Sequence, residues 1–181
     1  MINTNWVVIT GAPSSGKTSV INELQKRGYA IENEVARELI EKMMALGKSL
    51  ADIRSTQEAQ QQLQLDILTL KAKREAQMPP EKLIFMDRGM GDSITYFRLA
   101  GLDTASATKA SRINKYKCIF IFDRLPIKKD NIRTESEAEA DLIDKGLEED
   151  YRALGYDPVR VGVMSIIERT EFILKSLGDQ R

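Results

Sequence analysis

The stretch Gly11-Ala12-Pro13-Ser14-Ser15-Gly16-Lys17-Thr18 restricts what this chain can fold into more than any other. Its G-x-x-x-x-G-K-[ST] spacing is that of a phosphate-binding P-loop, which works only between a buried strand and the start of a helix. Both flanks meet that demand. Residues 6–10, Trp6-Val7-Val8-Ile9-Thr10, are an apolar, largely β-branched run that reads as a buried strand. After the loop, Val20, Ile21 and Leu24 recur at helical spacing and Gly28 supplies the stop.

The residue types fit the chemistry. Gly11 and Gly16 let the backbone bend tightly and approach a phosphate with no Cβ in the way. The backbone of Gly11, Ala12, Ser14, Ser15, Gly16, Lys17, Thr18 and Ser19 is expected to turn its amides toward an anion, helped by the positive end of the helix dipole. Pro13 has no N–H and cannot be one of those donors. Lys17 is expected to reach the β- and γ-phosphates of ATP, and the Thr18 hydroxyl to bind Mg²⁺.

Composition narrows the classes. A chain of 181 residues, 42% hydrophobic and 30% charged, is that of an ordinary globular protein, and one domain over 1–181 is expected. Lys plus Arg equals Asp plus Glu, so no basic field points to nucleic acid as a partner. The absence of histidine excludes His-based triads, His metal sites and His general bases. Cys118 sits alone in an apolar run and reads as a small core residue suited to a reducing compartment. No apolar run approaches the ~20 residues of a membrane span. Residues 1–5 carry no positive n-region, so no signal peptide and a cytoplasmic location are expected.

Strands and helices alternate along the chain. Short strands are predicted at 29–32, 83–86, 118–123 and 159–163. A helix over about 34–46 carries the stripe Val35, Leu39, Ile40, Met43, Met44 and closes at Gly47. Ser55-Thr56-Gln57-Glu58 has capping-box form and opens a long helix to about Ala76, with Ala59, Leu63, Ile67 and Leu70 inward and its glutamines mostly solvated. Helices are also predicted over about 92–99, with Asp92 as a capping residue, and 104–113. Thr134-x-x-Glu137 opens another with Leu142, Leu147, Tyr151 and Leu154 inward, and Ser165-x-x-Glu168 a last one with Ile166, Ile167, Phe172, Ile173 and Leu177 available to pack. Near-continuous apolar strands between helices imply an α/β, three-layer fold: a five-stranded parallel sheet with helices on both faces.

In such sheets ligands lie outside the carboxyl ends of the strands, and several charged residues fall there. Asp87 ends the 83–86 run, where a carboxylate holding Mg²⁺ belongs. Arg88 beside it is suited to bind an acceptor's phosphate or sugar. Glu34 and Arg37 lie on one helix face one turn apart; that is also ordinary ion-pair spacing, and their place after a strand favours substrate contact. The basic loop at about 124–136 is a candidate lid that brings Arg133 onto a transferring phosphoryl group, while Lys128 and Lys129 pair with the acidic helix that follows. Asn114-Lys115-Tyr116-Lys117 resembles a guanine-reading N-K-x-D, but Lys117 replaces the aspartate and the segment precedes a strand instead of following one.

Together these segments resemble the P-loop family that includes the nicotinamide-riboside kinase domain of bacterial NAD-synthesis regulators and many small AAA-type ATPase proteins. The resemblance spans nearly the whole chain. It rests on Ile9 to Thr18, Glu34-Val35-Ala36-Arg37-Glu38, Phe85-Met86-Asp87-Arg88-Gly89, Asp130-Asn131-Ile132-Arg133 and the Leu154-Gly155-Tyr156 turn. The family's lid commonly reads Asp-Gly-x-Arg; Asn131 here replaces the glycine and can also adopt the left-handed conformation. The implied activity is a Mg²⁺-dependent kinase that transfers phosphate from ATP to a small-molecule acceptor, a nucleoside or nucleotide. Lys17, Asp87, Arg88 and Arg133 would be its catalytic set, Thr18 and Asp87 its metal ligands, and Glu34, Arg37 and Arg88 its acceptor contacts. An animal relative described as a GTP- and phosphoinositide-binding regulator keeps a second reading open, an NTP-dependent switch with slow hydrolysis.

Overall fold

The structure, a computed structural model, describes residues 1–53, 55–125 and 137–178. In chain order, β1 (Ile2–Asn3) and β2 (Trp6–Thr10) lead through the Gly11–Gly16 loop to α1 (Lys17–Lys26). Next come β3 (Ala30–Glu32), α2 (Val35–Ala45), α3 (Leu50–Ile53) and the long α4 (Gln57–Glu75). The middle of the chain forms β4 (Ile84–Asp87), α5 (Asp92–Leu99), α6 (Ala105–Ser111), β5 (Asn114–Lys115) and β6 (Cys118–Phe122). It ends in α7 (Glu137–Ala153), β7 (Val159–Val161) and α8 (Ile166–Ser176).

Five strands form one parallel sheet in the order β3-β4-β2-β6-β7, as the alternating pattern implies. The small parallel pair β1 and β5 was not legible in the sequence; Ile2 lies opposite Asn114. Along β2 the side chains divide by the two-residue period of a strand. Val7 and Ile9 pack with Phe85 and Phe120 against Val20, Ile21 and Leu24 of α1 and Ile173 and Leu174 of α8. Trp6 and Val8 face the other way, into a core with Met86, Ile121, Met90, Tyr116 and Tyr151. Helices therefore cover both faces.

Several helical details differ from expectation. Thr56, not Ser55, caps α4, accepting from the Ala59 amide at 3.1 Å, because the Ser55 hydroxyl donates to the Asp52 carbonyl and closes the turn after α3. The inward face of α4 continues from Leu63 and Ile67 to the charged Lys71 and Glu75. On α7 the buried residues are Ala140, Ile143, Gly146, Leu147, Asp150 and Tyr151; Leu142 is 60% exposed, one position off the stripe. The Thr134 half of its capping box lies outside the described residues. Ser165 and Glu168 do form the capping box of α8, but Ile166, Ile167 and Phe172 are exposed, and Ile173 and Leu174 carry its packing.

The seam between α5 and α7 is tight. Thr95 donates to the Asp150 carboxylate at 2.6 Å, and Tyr151 lies against the turn that enters α5. A Cβ on Gly91 would stand 2.6 Å from the Tyr151 ring, which is fully buried and has nowhere to go. Gly91→Ala is therefore expected to destabilise the fold by roughly 1–3 kcal/mol, read as a lowered urea midpoint. An unchanged midpoint would contradict this packing.

Candidate functional site

The chain leaves β2 at Gly11 through a loop with three positive φ values: 143° at Gly11, 65° at Ser14 and 82° at Gly16. Gly11 has no alternative, since a Cβ there would come 2.7 Å from the Phe122 carbonyl oxygen. The Lys17 ammonium folds over the loop and donates to the Gly11 and Ala12 carbonyls and the Ser15 hydroxyl at 3.0–3.1 Å. Burial, with the Arg88 charge adding to it, brings the Lys17 pKa down to about 8, against the opposing pull of Asp87.

Thr18 Oγ1 donates to Asp87 Oδ2 at 3.2 Å, so the loop and the end of β4 meet. Asp87 Oδ1 is buried and has no hydrogen-bond partner among the described residues. Such an oxygen costs free energy unless something fills its lone pairs. Burial first, and the neighbouring Glu34 charge second, push the Asp87 carboxyl above its usual range. A hard cation answers both facts. Thr18 and Asp87 are oxygen ligands of the kind and number with which Mg²⁺, keeping its waters and phosphate oxygens, is held.

The far side of the site is built around Arg88. Its φ of 72° is left-handed, and its side chain is pinned three ways. Nε donates to Glu34 Oε1 at 2.7 Å, Nη1 to Asp92 Oδ1 at 3.1 Å, and the guanidinium lies 5.3 Å from the Tyr96 ring centroid. Burial pushes the Glu34 carboxyl up, but the charges of Arg88 and Lys17 and the Arg88 hydrogen bond outweigh it and hold the group below its usual range. Arg37 does not pair with Glu34. It stands 3.8 Å from Glu41, one turn on.

The P-loop, Glu34, Arg37 and Arg88 line one cavity of about 910 Å³; Asp87 lies behind this lining, in contact with it through Thr18. The loop from Pro13 to Ser19 forms one wall; Glu34 and Arg37 from the α2 turn, Gln64 and Lys71 from α4, and Ser93 and Tyr96 from α5 form the other. A space of this size is ample for a small ligand beside a phosphate chain. Arg133, Lys128 and Lys129 lie outside the described residues. Of the candidate lid, Arg124 pairs with Asp141 and donates to the Glu137 carbonyl of α7, and the Leu125 amide donates to Ser14 of the loop.

Three buried charged residues in or beside the site were not anticipated. Asp92 does not cap α5; it is wholly buried and accepts from Thr10, Arg88, the Gly89 amide and the Tyr151 hydroxyl. Lys71 donates to the Gly89 carbonyl at 2.7 Å. Its signal was present: positions 63, 67, 71 and 75 continue one helix stripe, which buries its last two members whatever their charge. Arg169 of α8 reaches under the P-loop, and no sequence pattern announced it. Asn114 and Tyr116 of the false guanine motif donate to the Glu75 carboxylate, a structural role.

Two outcomes follow from the charges. In the free protein Lys17 is about half protonated near pH 8, and phosphate oxygens would favour its charged form, so binding of a nucleotide there would take up protons. Calorimetric binding enthalpies should differ between buffers of different ionisation enthalpy; equal values would contradict the assignment. Asp87 is favoured in its protonated form, so wild-type stability falls as pH rises through its raised pKa, whereas an amide does not titrate. Asp87→Asn is expected to raise the melting temperature at neutral pH and to lose that gain below about pH 3, where the carboxyl is protonated folded or unfolded. A gain independent of pH would contradict it.

Comparison with solved structures shows the same fold. The NadR protein in complex with NR aligns with a TM-score of 0.72 at 15% identity, over 98% of this chain and 52% of that one. Deoxyadenosine kinase from M. mycoides with its products aligns at 0.64 and 16% identity, over 96% and 98%. Thymidylate kinase from Ehrlichia chaffeensis aligns at 0.66 and 14%, over 96% and 97%. The chain thus spans about half the length of the NadR chain. No curated protein sequence matches. Among the described residues no helix is long and apolar enough to cross a membrane. Residues 6–169 match the model of the AAA domain family AAA_28, and the chain belongs to that family.

Proposed function

We propose that this protein is an ATP- and Mg²⁺-dependent kinase for a small hydroxyl-bearing acceptor, a nucleoside or nucleotide. One observation carries the reading: a P-loop and a second, charged compartment around Arg88 open into a single cavity. Hydrolysis needs room for one water, whereas this cavity has room for an organic molecule beside the phosphates. Likeness to a deoxyadenosine kinase and a thymidylate kinase, which is a likeness of fold, is consistent with it.

In this reading the amides of Gly11 to Ser19 and the Lys17 ammonium bind the triphosphate. Thr18 and Asp87 hold Mg²⁺, which when bound offsets charge on the phosphate oxygens. The carboxylate of Asp87 also orients the acceptor hydroxyl and takes up its proton, as the hydroxyl oxygen bonds to the γ-phosphorus and the bond to the ADP oxygen breaks. Arg88 steadies the acceptor or the transferring group, with its guanidinium held between Glu34 and Asp92. Glu34 and Arg37 read the acceptor from the cavity wall. Arg133 closes from a lid over 124–136 within a single domain, and the half-buried, unpaired Cys118 accords with a cytoplasmic location.

A panel of nucleosides and nucleoside monophosphates, each with Mg·ATP, tests the proposal through ADP release. One compound should raise release well above the acceptor-free rate. Release that no compound raises would sink the kinase reading and leave slow hydrolysis by a switch. With the active compound, Lys17→Ala is expected to abolish nucleotide binding. Asp87→Asn should keep that binding and lose turnover by roughly a hundredfold or more. Unchanged turnover in Asp87→Asn would overturn its assigned role.

A further inference from the structure

Arg169 belongs to α8, outside the cavity, yet its side chain serves the loop that lines it. The residue is 2% exposed, and its guanidinium is shared among three backbone carbonyls. Nη1 donates to Ser15 O, Nε to Gly162 O at 2.9 Å and Nη2 to Asp123 O at 3.3 Å. The Phe122 ring covers one face, 4.8 Å from centroid to Cζ. Each carbonyl follows a different strand: β2, β7 and β6. One planar fork therefore ties together the ends of three strands, a geometry open to arginine and closed to lysine.

The charge on this fork has no counter-ion among the described residues. Asp123 turns its carboxylate to Arg160 at 3.5 Å and gives Arg169 its backbone oxygen, so its charge acts on Arg169 without direct contact. A buried guanidinium hydrogen-bonded to neutral carbonyls, with no acid in direct contact, keeps a net positive field. In the low dielectric beneath the loop, that field favours an anion on the other side.

The direction of the Ser15–Gly16 peptide follows from elementary stereochemistry. The peptide is trans, so its C=O and N–H point opposite ways. Arg169 holds the Ser15 carbonyl on the α8 side. The Gly16 N–H is thereby turned away from α8, toward the cavity that Gly16 lines. The left-handed φ of Gly16 permits this turn, and a Cβ at Gly16 would come 3.3 Å from Arg169 Nη1.

We infer that Arg169 is a positioning residue for the donor phosphates, locking the Ser15–Gly16 peptide with its N–H toward the anion and adding an unpaired positive charge beneath it. The inference rests on the reading of Gly11 to Ser19 as the triphosphate site. It predicts that the affinity for Mg·ADP depends on a residue that never touches the nucleotide.

Fluorescent Mg·ADP analogue binding to the full chain, compared among wild type, Arg169→Lys and Arg169→Met, tests it. Hydrogen bonds to a charged group of this kind predict a loss of at least about tenfold in Arg169→Met. Arg169→Lys, which keeps the charge and loses the fork, should fall between the two. The Gly16 amide resonance should shift strongly on adding Mg·ADP to wild type and less in Arg169→Lys. A purely structural role would lower the melting temperature of both variants and leave affinity and resonance as in wild type, which would overturn the inference. If Arg169→Met does not fold, the affinity and the Gly16 shift of Arg169→Lys decide alone. Wild type that does not bind Mg·ADP would instead refute the triphosphate site itself.

Discussion

The register that sets Ile9 of β2 opposite Asp87 of β4 governs the rest of the site. Because β3 passes to the sheet edge, β4 is free to pair directly beside the P-loop strand. Both strands then end at the same level, and the ladder runs one bond further, from the Arg88 amide to the Ile9 carbonyl at 3.0 Å. Past that bond Arg88 turns left-handed, a conformation costing about 1–2 kcal/mol for a residue with a Cβ. The hydrogen bond between Thr18 and Asp87 is a consequence of this order. A slip of one residue would exchange the two faces of β4 and carry the Asp87 carboxylate away from the loop.

Behind this arrangement lies a concentration of buried charge that a fold selected for stability alone would avoid. Lys17, Lys71, Asp87, Arg88, Asp92 and Arg169 are all nearly inaccessible. Desolvating such groups costs several kcal/mol each, and their mutual attraction offsets this only where the geometry is good. Asp92 is the clearest case: four donors from three parts of the chain converge on it, so the end of β2, the Arg88 turn and α7 are fixed against one another. The network gives position. The raised pKa of Asp87 and the lowered pKa of Lys17 are the strain left over, and in the proposed site the metal would relieve the first and the phosphate oxygens the second.

How far the sequence revealed this depends on whether a role is local or made by the fold. The P-loop, the strand before it, the five-stranded parallel sheet and the position of Asp87 were all legible, because each follows from a few consecutive residues. The pairings were not. Glu34 and Arg37 share a helix face, yet Glu34 bonds to Arg88, 54 positions away, because β3 and β4 are sheet neighbours. Asp92 looked like a cap because it opens a helix; only the arrival of Tyr151 from α7 makes it a hub. Leu142 and Ile143 are equally apolar, and the one-residue phase of α7 against Thr95 decided which is buried.

In the proposed site, the Thr18–Asp87 contact and the Lys17 ammonium together bind a metal and a phosphate chain. A crystal structure with Mg²⁺ and a non-hydrolysable ATP analogue is the decisive experiment. The metal is expected at the Thr18 hydroxyl and the Asp87 carboxylate, with the Lys17 ammonium moved from the Gly11 and Ala12 carbonyls to the phosphate oxygens. A nucleotide bound away from the loop, or a metal bound without Asp87 or Thr18, would contradict this arrangement.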